Sequence, residues 1–228
     1  MKTLKRAMIT TVLISALILI IPAALLAQDV IAYIGEVGGT VTVVKGNPGE
    51  EVEAKLGMFL EGGDTVKTAS ASYSSVIFQD DGSRVKLGEN SQLTLNAERD
   101  KKNLKKKMFL GSGGKLWAKV NKRRGTDFQV RTPTSVASVK GTKFILESKG
   151  EGDFLWVLED AVVFESGEFV ENVGAGTYAI GTEEGIETFA IGDGDVPIEP
   201  GPHEILIFFD QGDRGAALQK ELRIQFEK

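Results

Sequence analysis

The side chains that most often perform catalysis or hold metals are scarce in this chain of 228 residues, which contains one histidine and no cysteine. The single histidine, His203, follows Pro202 and has no obvious catalytic neighbour, so a histidine-based triad would have only this one possible base. A metal site built from histidine and cysteine ligands is excluded by the same counts. We expect His203 to be an exposed loop residue, and the sequence predicts a protein that is not an enzyme and uses no cofactor.

Two glycine-rich segments could bind ions, but neither has the full spacing of a known site. Gly192-Asp-Gly-Asp195 offers carboxylate oxygens to calcium. One copy, however, lacks both the repetition of a calcium-binding repeat array and the spacing of an EF-hand. Gly111-Ser-Gly-Gly-Lys115 is similar to a phosphate-binding loop, but its spacing is short and Leu116 replaces the required hydroxyl residue. We expect a linking turn at the first segment and a hairpin turn at the second.

A strongly basic segment lies between residues 101 and 126, with ten lysine or arginine residues and no acidic residue. Residues 147–228 have the opposite balance, with 19 acids and 5 bases. As a solvated loop the basic segment needs no function. As a contact surface it would attract anionic components of the cell envelope through long-range electrostatics. The candidate contact surface consists of Lys101, Lys102, Lys105, Lys106, Lys107, Lys122, Arg123 and Arg124.

The segment 128–144 combines strand-like alternation with a proline break and a glycine break. Phe128 and Val130 alternate with polar residues, which is the period of a strand with one buried face. Pro133 ends this strand because it lacks a backbone donor. A second strand follows, and Gly141 predicts a bend, a bulge or a close approach between backbones.

Short alternating segments recur along the rest of the chain. Apolar pairs at positions 76 and 78, 85 and 87, and 93 and 95 repeat every eight or nine residues. Asp81-Gly82, between the first two pairs, is a strong hairpin signal. This spacing fits a meander, a sandwich or the coils of a β-solenoid. With 27 glycines against 6 prolines, the sequence predicts an all-β fold.

Several of these segments together resemble the FecR-type periplasmic domain family, over roughly residues 62–181. The motifs occur in the family's order: a GD-x-V-x-T opening, a DGS hairpin followed by Leu87-Gly-Glu-Asn-Ser91, a TP…GT-x-F core, and Val157-Leu-Glu159 followed by Val173-Gly-Ala-Gly176. Asp160 stands where the family usually has a glycine.

The resemblance implies a β-solenoid-like stack of short strands, with a β-sandwich as the alternative. It also implies structural roles for the motif residues. These are Gly63, Asp64, Asp81, Gly82, Thr132, Pro133, Gly141, Thr142 and Phe144.

The first 27 residues have the pattern of a secretory signal, because three basic residues precede an apolar run and a small-residue end at Ala27. We expect cleavage after Ala27. Residues 7–27 are also about long enough to span a bilayer as an uncleaved anchor, which would bring the protein into contact with the membrane. Either outcome places residues 28 onward outside the cytoplasm, in the periplasm or at the cell surface, because the basic flank stays inside.

Two further segments follow the export segment 1–27: the FecR-type β domain at 28–181 and a small C-terminal β-hairpin extension at 182–228. In the extension, residues 204–209 are apolar on both faces and predict a central strand. Leu222, Ile224 and Phe226 alternate and predict a final strand.

Proteins of the family that this chain resembles often act as envelope sensors that relay a signal to a cytoplasmic sigma factor. Only residues 1–6 precede the hydrophobic segment here, so we expect no direct control of a sigma factor. The primary hypothesis is an exported, non-enzymatic ligand- or protein-binding module of the cell envelope. The alternatives are a structural, self-assembling envelope protein and an envelope-signalling regulator that acts through a membrane partner.

The expected partners are an envelope protein or an anionic envelope component, and possibly a second copy of the chain. Nucleic acid is not expected as a partner, because the chain is exported and carries a net charge of −5.

Overall fold

The computed structural model describes residues 30–46, 49–100, 103–123, 127–192, 194–201, 205–207 and 222–224. The predicted export segment, His203 and three bases of the candidate contact surface (Lys101, Lys102 and Arg124) lie outside these ranges. Within them, no helix is long and apolar enough to cross a membrane.

Every regular element in the described ranges is a β-strand. In chain order the strands are β1 (Val30–Gly38), β2 (Val41–Val44), β3 (Glu51–Glu53), β4 (Phe59–Glu61), β5 (Thr65–Thr68), β6 (Tyr73–Phe78), β7 (Arg84–Leu87), β8 (Gln92–Asp100), β9 (Asn103–Leu110), β10 (Lys115–Lys119), β11 (Phe128–Arg131), β12 (Ser135–Val139), β13 (Lys143–Lys149), β14 (Gly152–Glu159), β15 (Ala161–Ser166), β16 (Phe169–Gly174), β17 (Thr177–Thr182), β18 (Gly185–Ala190), β19 (Ile205–Ile207) and β20 (Leu222–Ile224).

The strands form two large sheets and one small one. Sheet one has the order β18-β17-β14-β13-β10-β7-β6-β1-β4, and sheet two has the order β16-β15-β12-β11-β9-β8-β5-β2-β3. From β6 onward the chain alternates between the sheets, so that each sheet lengthens in the same direction as the chain proceeds. Only β9 and β11 pair in parallel among the strand pairs that the structure describes. Strands β19 and β20 form a separate antiparallel pair.

The two large sheets face each other, because buried apolar side chains from both form one core. The predicted pairs show how the alternation builds it: Val76 and Phe78 lie on β6, Val85 and Leu87 on β7, and Leu93 and Leu95 on β8 of the other sheet. All six side chains are fully buried.

The all-β prediction is confirmed. The two layers are arranged like a sandwich, which is the alternative that the sequence analysis names beside the solenoid. As in a solenoid, however, successive hairpins are added in one direction along both sheets. Tight turns such as Asp81-Gly82 join antiparallel neighbours, and this is why the strands do not stack in the parallel register of solenoid coils. In the C-terminal extension, the predicted central strand is described only as β19, which pairs with β20 in a two-stranded sheet.

The segment 128–144 folds as its sequence predicts. Phe128 and Val130 are buried on β11, and β12 begins at Ser135, just after Pro133. Gly141 has a φ of 107°, and a Cβ atom there would lie 3.0 Å from the backbone Cα of Lys122. The close approach predicted at this glycine is therefore present.

The turn after β14 contains Asp160, which stands where the family motif usually has a glycine. Asp160 has a φ of 57°, in the left-handed region that favours glycine. Aspartate tolerates this region better than most side chains, so the turn keeps the backbone conformation that a glycine would adopt more easily.

Candidate binding site

The family-motif residues lie in buried or turn positions where they fix loops. Asp64, almost fully buried, accepts hydrogen bonds from the backbone N–H groups of Gly46 at 3.0 Å and Glu61 at 3.1 Å, and it pairs with the ammonium group of Lys45 at 2.7 Å. Gly63 precedes it with a φ of 96°. This single carboxylate therefore ties the turn after β2 to the turn between β4 and β5.

The Thr132-Pro133 motif surrounds a second buried carboxylate, that of Asp153 on β14. One oxygen of Asp153 accepts hydrogen bonds from the hydroxyl groups of Thr132, Thr134 (2.6 Å) and Ser135. Asp153 is fully buried and belongs to sheet one, whereas the turn between β11 and β12 belongs to sheet two. The motif is thus a polar contact between the two sheets, and the sequence did not reveal its acidic partner.

The remaining motif residues also have structural positions. Asp81 accepts a hydrogen bond from the backbone N–H of Ser83 at 2.8 Å, and Gly82 between them has a φ of 69°. Thr142 donates its hydroxyl to the carbonyl of Ala161 at 3.1 Å, and Phe144 is fully buried in the core.

The bases of the segment that the structure describes do not all lie on the surface. On β9 the side chains alternate, so Lys105 and Lys107 lie on the outer face of sheet two, whereas Lys106 is fully buried between the sheets. Lys122 pairs with Asp160 at 2.7 Å, and Arg123 lies 3.5 Å from a carboxylate oxygen of Asp80.

Lys106 therefore cannot belong to a contact surface, and its inclusion in the candidate surface is corrected here. The physical reason is the period of two along β9. Leu104, Lys106 and Met108 all face inward, and a salt bridge with Asp80 and Asp81 compensates the buried charge.

A row of stacked aromatic side chains crosses the outer face of sheet one. The ring centroids of Phe154 and Trp156 are 6.1 Å apart, those of Trp156 and Tyr178 are 6.1 Å apart, and those of Tyr178 and Phe189 are 5.0 Å apart. The ring planes are within 22° of parallel in all three pairs. Lys149 places its ammonium group 4.6 Å from the Phe154 ring, which closes one end of the row. The other end, Phe189, is 41% exposed.

This aromatic row combines residues that the sequence presents far apart. Trp156 is buried on β14, and Phe154, Tyr178 and Phe189 carried no separate signal in the sequence. The antiparallel register places Trp156 on β14 opposite Tyr178 on β17, and Tyr178 opposite Phe189 on β18. Only the order of strands in sheet one places them in one line.

Phe189 lies on β18, which is an edge strand of sheet one. The four edge strands of the two large sheets are β3, β4, β16 and β18, and each contains at least one glutamate but no lysine or arginine. These glutamates are Glu51, Glu53, Glu61, Glu171 and Glu187.

Neighbouring groups favour the ionised form of one of these glutamates, Glu51. A hydrogen bond from Thr42, together with the nearby ammonium group of Lys67, lowers the pKa of Glu51 below its ordinary value. Glutamates on exposed edges are a common defence against unwanted strand pairing.

No group of histidine, cysteine, aspartate and glutamate residues in the described part of the chain is arranged to hold a metal ion. What the outer face of sheet one offers instead is a partly exposed aromatic row that ends on an edge strand. Such an arrangement can bind another chain through main-chain hydrogen bonds and aromatic packing.

The two-sheet architecture, with its buried motif carboxylates and this exposed edge, defines an all-β domain. Residues 64–163 match the family described as FecR protein. The resemblance found in the sequence is thereby confirmed over residues 64–163. No curated protein matches the chain.

Two solved crystal structures are similar to part of the chain. Both are of a protein from Parabacteroides distasonis ATCC 8503 that is described as a "putative anti-sigma factor". Each matches with a TM-score of 0.49 and 17% sequence identity, over 55% of this chain and 59% of the other. The chain thus spans less than two thirds of the length of the protein it matches.

Proposed function

We propose that the chain is a non-enzymatic protein-binding module of the cell envelope, which works in envelope signalling through a membrane partner. The FecR domain supports a role in envelope signalling, and the secretory pattern of residues 1–27 supports a location outside the cytoplasm. The observation that carries the proposal is the aromatic row that ends at the exposed Phe189 on edge strand β18.

The partner is an extended segment of another envelope protein, which adds to sheet one beside β18. A strand in this position would extend the backbone hydrogen bonds of the sheet. It would also extend the aromatic row if it placed an aromatic or β-branched side chain opposite Phe189, because such cross-strand pairs contribute roughly 0.2–1 kcal/mol each. Since β18 carries Glu187 and no base, the favoured segment is neutral or basic.

Substitution of the exposed end of the aromatic row tests this proposal. Phe189→Asp leaves the core untouched but places a charge where the incoming strand would pack. Phe169→Asp is the matched control, because Phe169 is 44% exposed and lies on β16, an edge strand of sheet two. The measurement is chemical cross-linking in intact cells of the source organism, followed by identification of the adducts.

We expect one cross-linked envelope protein to be recovered with the parent chain and with Phe169→Asp, and to be lost with Phe189→Asp. Recovery of the same adduct with Phe189→Asp would show that the edge is not the binding site. Absence of any adduct with the parent chain would also contradict the proposal.

The self-assembling alternative requires the last edge strands of one copy to meet the first edge strands of the next. Strands β16 and β18 would then face β3 and β4, and glutamates would approach glutamates. Like charges opposite each other on paired strands destabilise the pairing. Size-exclusion chromatography is therefore expected to show one small species at low salt, and a large species there would favour the structural role instead.

A further inference from the structure

A second feature of the outer face of sheet one lies away from the aromatic row. Three basic residues occupy one cross-strand line: Arg84 on β7, Lys119 on β10 and Lys143 on β13. The strand register places Lys119 directly opposite Arg84 on one side and directly opposite Lys143 on the other. Opposite residues in antiparallel strands have Cβ atoms about 4.5–5.5 Å apart, so Lys119 lies between two cations.

Of the three bases in this row, only Arg84 forms an ion pair with a residue that the structure describes. An oxygen of Glu36 lies 3.5 Å from the guanidinium of Arg84, but the other oxygen of Glu36 pairs with Lys86 at 2.7 Å. Glu159 is opposite Lys143 in the register, and the side chains of the two form no ion pair. Lys119 itself makes no ion pair with any residue that the structure describes.

The basic row lines a groove with an apolar floor. Its lining includes the apolar side chains of Trp117, Ile145 and Leu158 and the three bases of the row. It also includes a fourth base, Lys86, and one carboxylate, that of Glu199. One wall is the segment 196–201, which is held against sheet one by two contacts. The indole N–H of Trp117 donates to the carbonyl of Pro197 at 3.2 Å, and Glu199 lies 3.4 Å from the ammonium group of Lys86.

We propose that this groove binds a phosphoryl group of a ligand. Three cations directly opposite one another on neighbouring strands destabilise the free protein, and a dianionic phosphoryl group that bridges them would remove the repulsion. Lysine ammonium groups and an arginine fork are suitable donors for its oxygens.

A carboxylate fits the groove less well, since one negative charge would compensate only one of the three cations. The phosphoryl group could come from a soluble phosphate ester or from a phospholipid headgroup. Both sources share the chemistry that the row recognises, and two probes separate them. The proposal is independent of edge strand β18, because neither Lys119 nor Lys143 touches it.

The test uses the purified chain and two probes: inorganic pyrophosphate, and vesicles of phosphatidylglycerol with phosphatidylcholine vesicles as the neutral comparison. Lys119→Ser removes the central base of the row. Lys55→Ser is the matched control, because Lys55 is an exposed lysine in the loop between β3 and β4. Binding is measured by the shift in melting temperature with pyrophosphate and by co-sedimentation with vesicles.

We expect the parent chain and Lys55→Ser to bind at least one probe equally well, and Lys119→Ser to bind it about tenfold more weakly, as expected for loss of one hydrogen bond to a charged group. Without a probe, Lys119→Ser should melt no lower than the parent chain, because the repulsion is relieved. Binding of pyrophosphate indicates a soluble phosphate ester, and binding to phosphatidylglycerol vesicles alone indicates a lipid headgroup. Equal binding by Lys119→Ser and Lys55→Ser, or no binding of either probe by the parent chain, would overturn the proposal.

Discussion

The ammonium group of Lys106 lies 2.9 Å from a carboxylate oxygen of Asp80, and the two side chains are 1% and 7% exposed. Asp81 pairs with the same ammonium group, and the ring of Phe78 lies 5.2 Å from it. Lys106 comes from β9 of sheet two, whereas the aspartates come from the hairpin between β6 and β7 of sheet one. This buried salt bridge therefore joins the two sheets through charge as well as through apolar packing.

Removal of the lysine from this salt bridge should lower the free energy of unfolding. Lys106→Met would leave Asp81 buried without a cation and Asp80 with only Arg123, 3.5 Å away, and breaking a buried pair in this way typically costs about 3–5 kcal/mol. Lys107→Met on the same strand is the control, because Lys107 faces outward and should change the free energy of unfolding by no more than about 0.5 kcal/mol. Urea denaturation of both variants gives the comparison, and similar midpoints would show that the salt bridge contributes little.

Asp153 should be more important for stability than an exposed carboxylate. Asp153→Ala would leave the hydroxyl groups of Thr132, Thr134 and Ser135 without their shared acceptor, and we expect a loss of about 2–4 kcal/mol. Asp153→Asn keeps one acceptor oxygen and should lose less. Asp127→Ala, at an exposed position, is the control. Thermal unfolding of the three variants tests the order, and an unchanged melting temperature in Asp153→Ala would contradict the role of the motif.

Gly141 should resist substitution for two reasons. Its φ of 107° is strained for any residue with a side chain, and a Cβ atom would press against the backbone of Lys122. Gly141→Val is therefore expected to lower the free energy of unfolding by about 1–3 kcal/mol. Gly150→Val is a suitable comparison, because a Cβ atom at Gly150 would meet nothing within 4 Å. If both variants unfold at the same temperature, the glycine at 141 is incidental.

The lysines at the start of the basic segment, apart from Lys106, can be tested together. Lys106 must be kept, and the variant replaces Lys101, Lys102, Lys105 and Lys107 by serine. Each exposed charge contributes only ~0–1 kcal/mol, so only the combined change should weaken binding to anionic wall fragments. Added salt should weaken binding of the parent chain as well, because charges are screened over ~8 Å at physiological ionic strength. Identical binding by parent and variant at both salt concentrations would identify the segment as a solvated surface.

Export from the cytoplasm is expected from the basic start, the apolar run and the small residues that end at Ala27. A fusion of residues 1–30 to a reporter that is active only outside the cytoplasm should show activity. Replacement of the apolar residues 13–20 by alternating serine and glutamate should abolish it. An inactive parent fusion would refute the expected location.

The sequence by itself determined the strands and many of their turns. Alternation at Phe128 and Val130, the Asp81-Gly82 hairpin and the close approach at Gly141 are local features, and each depends on the backbone preferences of a few adjacent residues. The family motifs predict structural roles for Asp64 and Thr132, but they give no sign of Asp153, the buried partner of Thr132.

The tertiary structure alone decided which residues share a surface. The period of two places Leu104, Lys106 and Met108 on one face of β9, but the burial of Lys106 depends on Asp81, 25 residues away on the facing sheet. The line of Tyr178 and Phe189, and the line of Arg84, Lys119 and Lys143, depend equally on strand order. Alternation along a strand fixes the face on which a side chain lies, whereas the neighbours on that face come from strands that are distant in sequence, and only their pairing in the folded sheets brings them together.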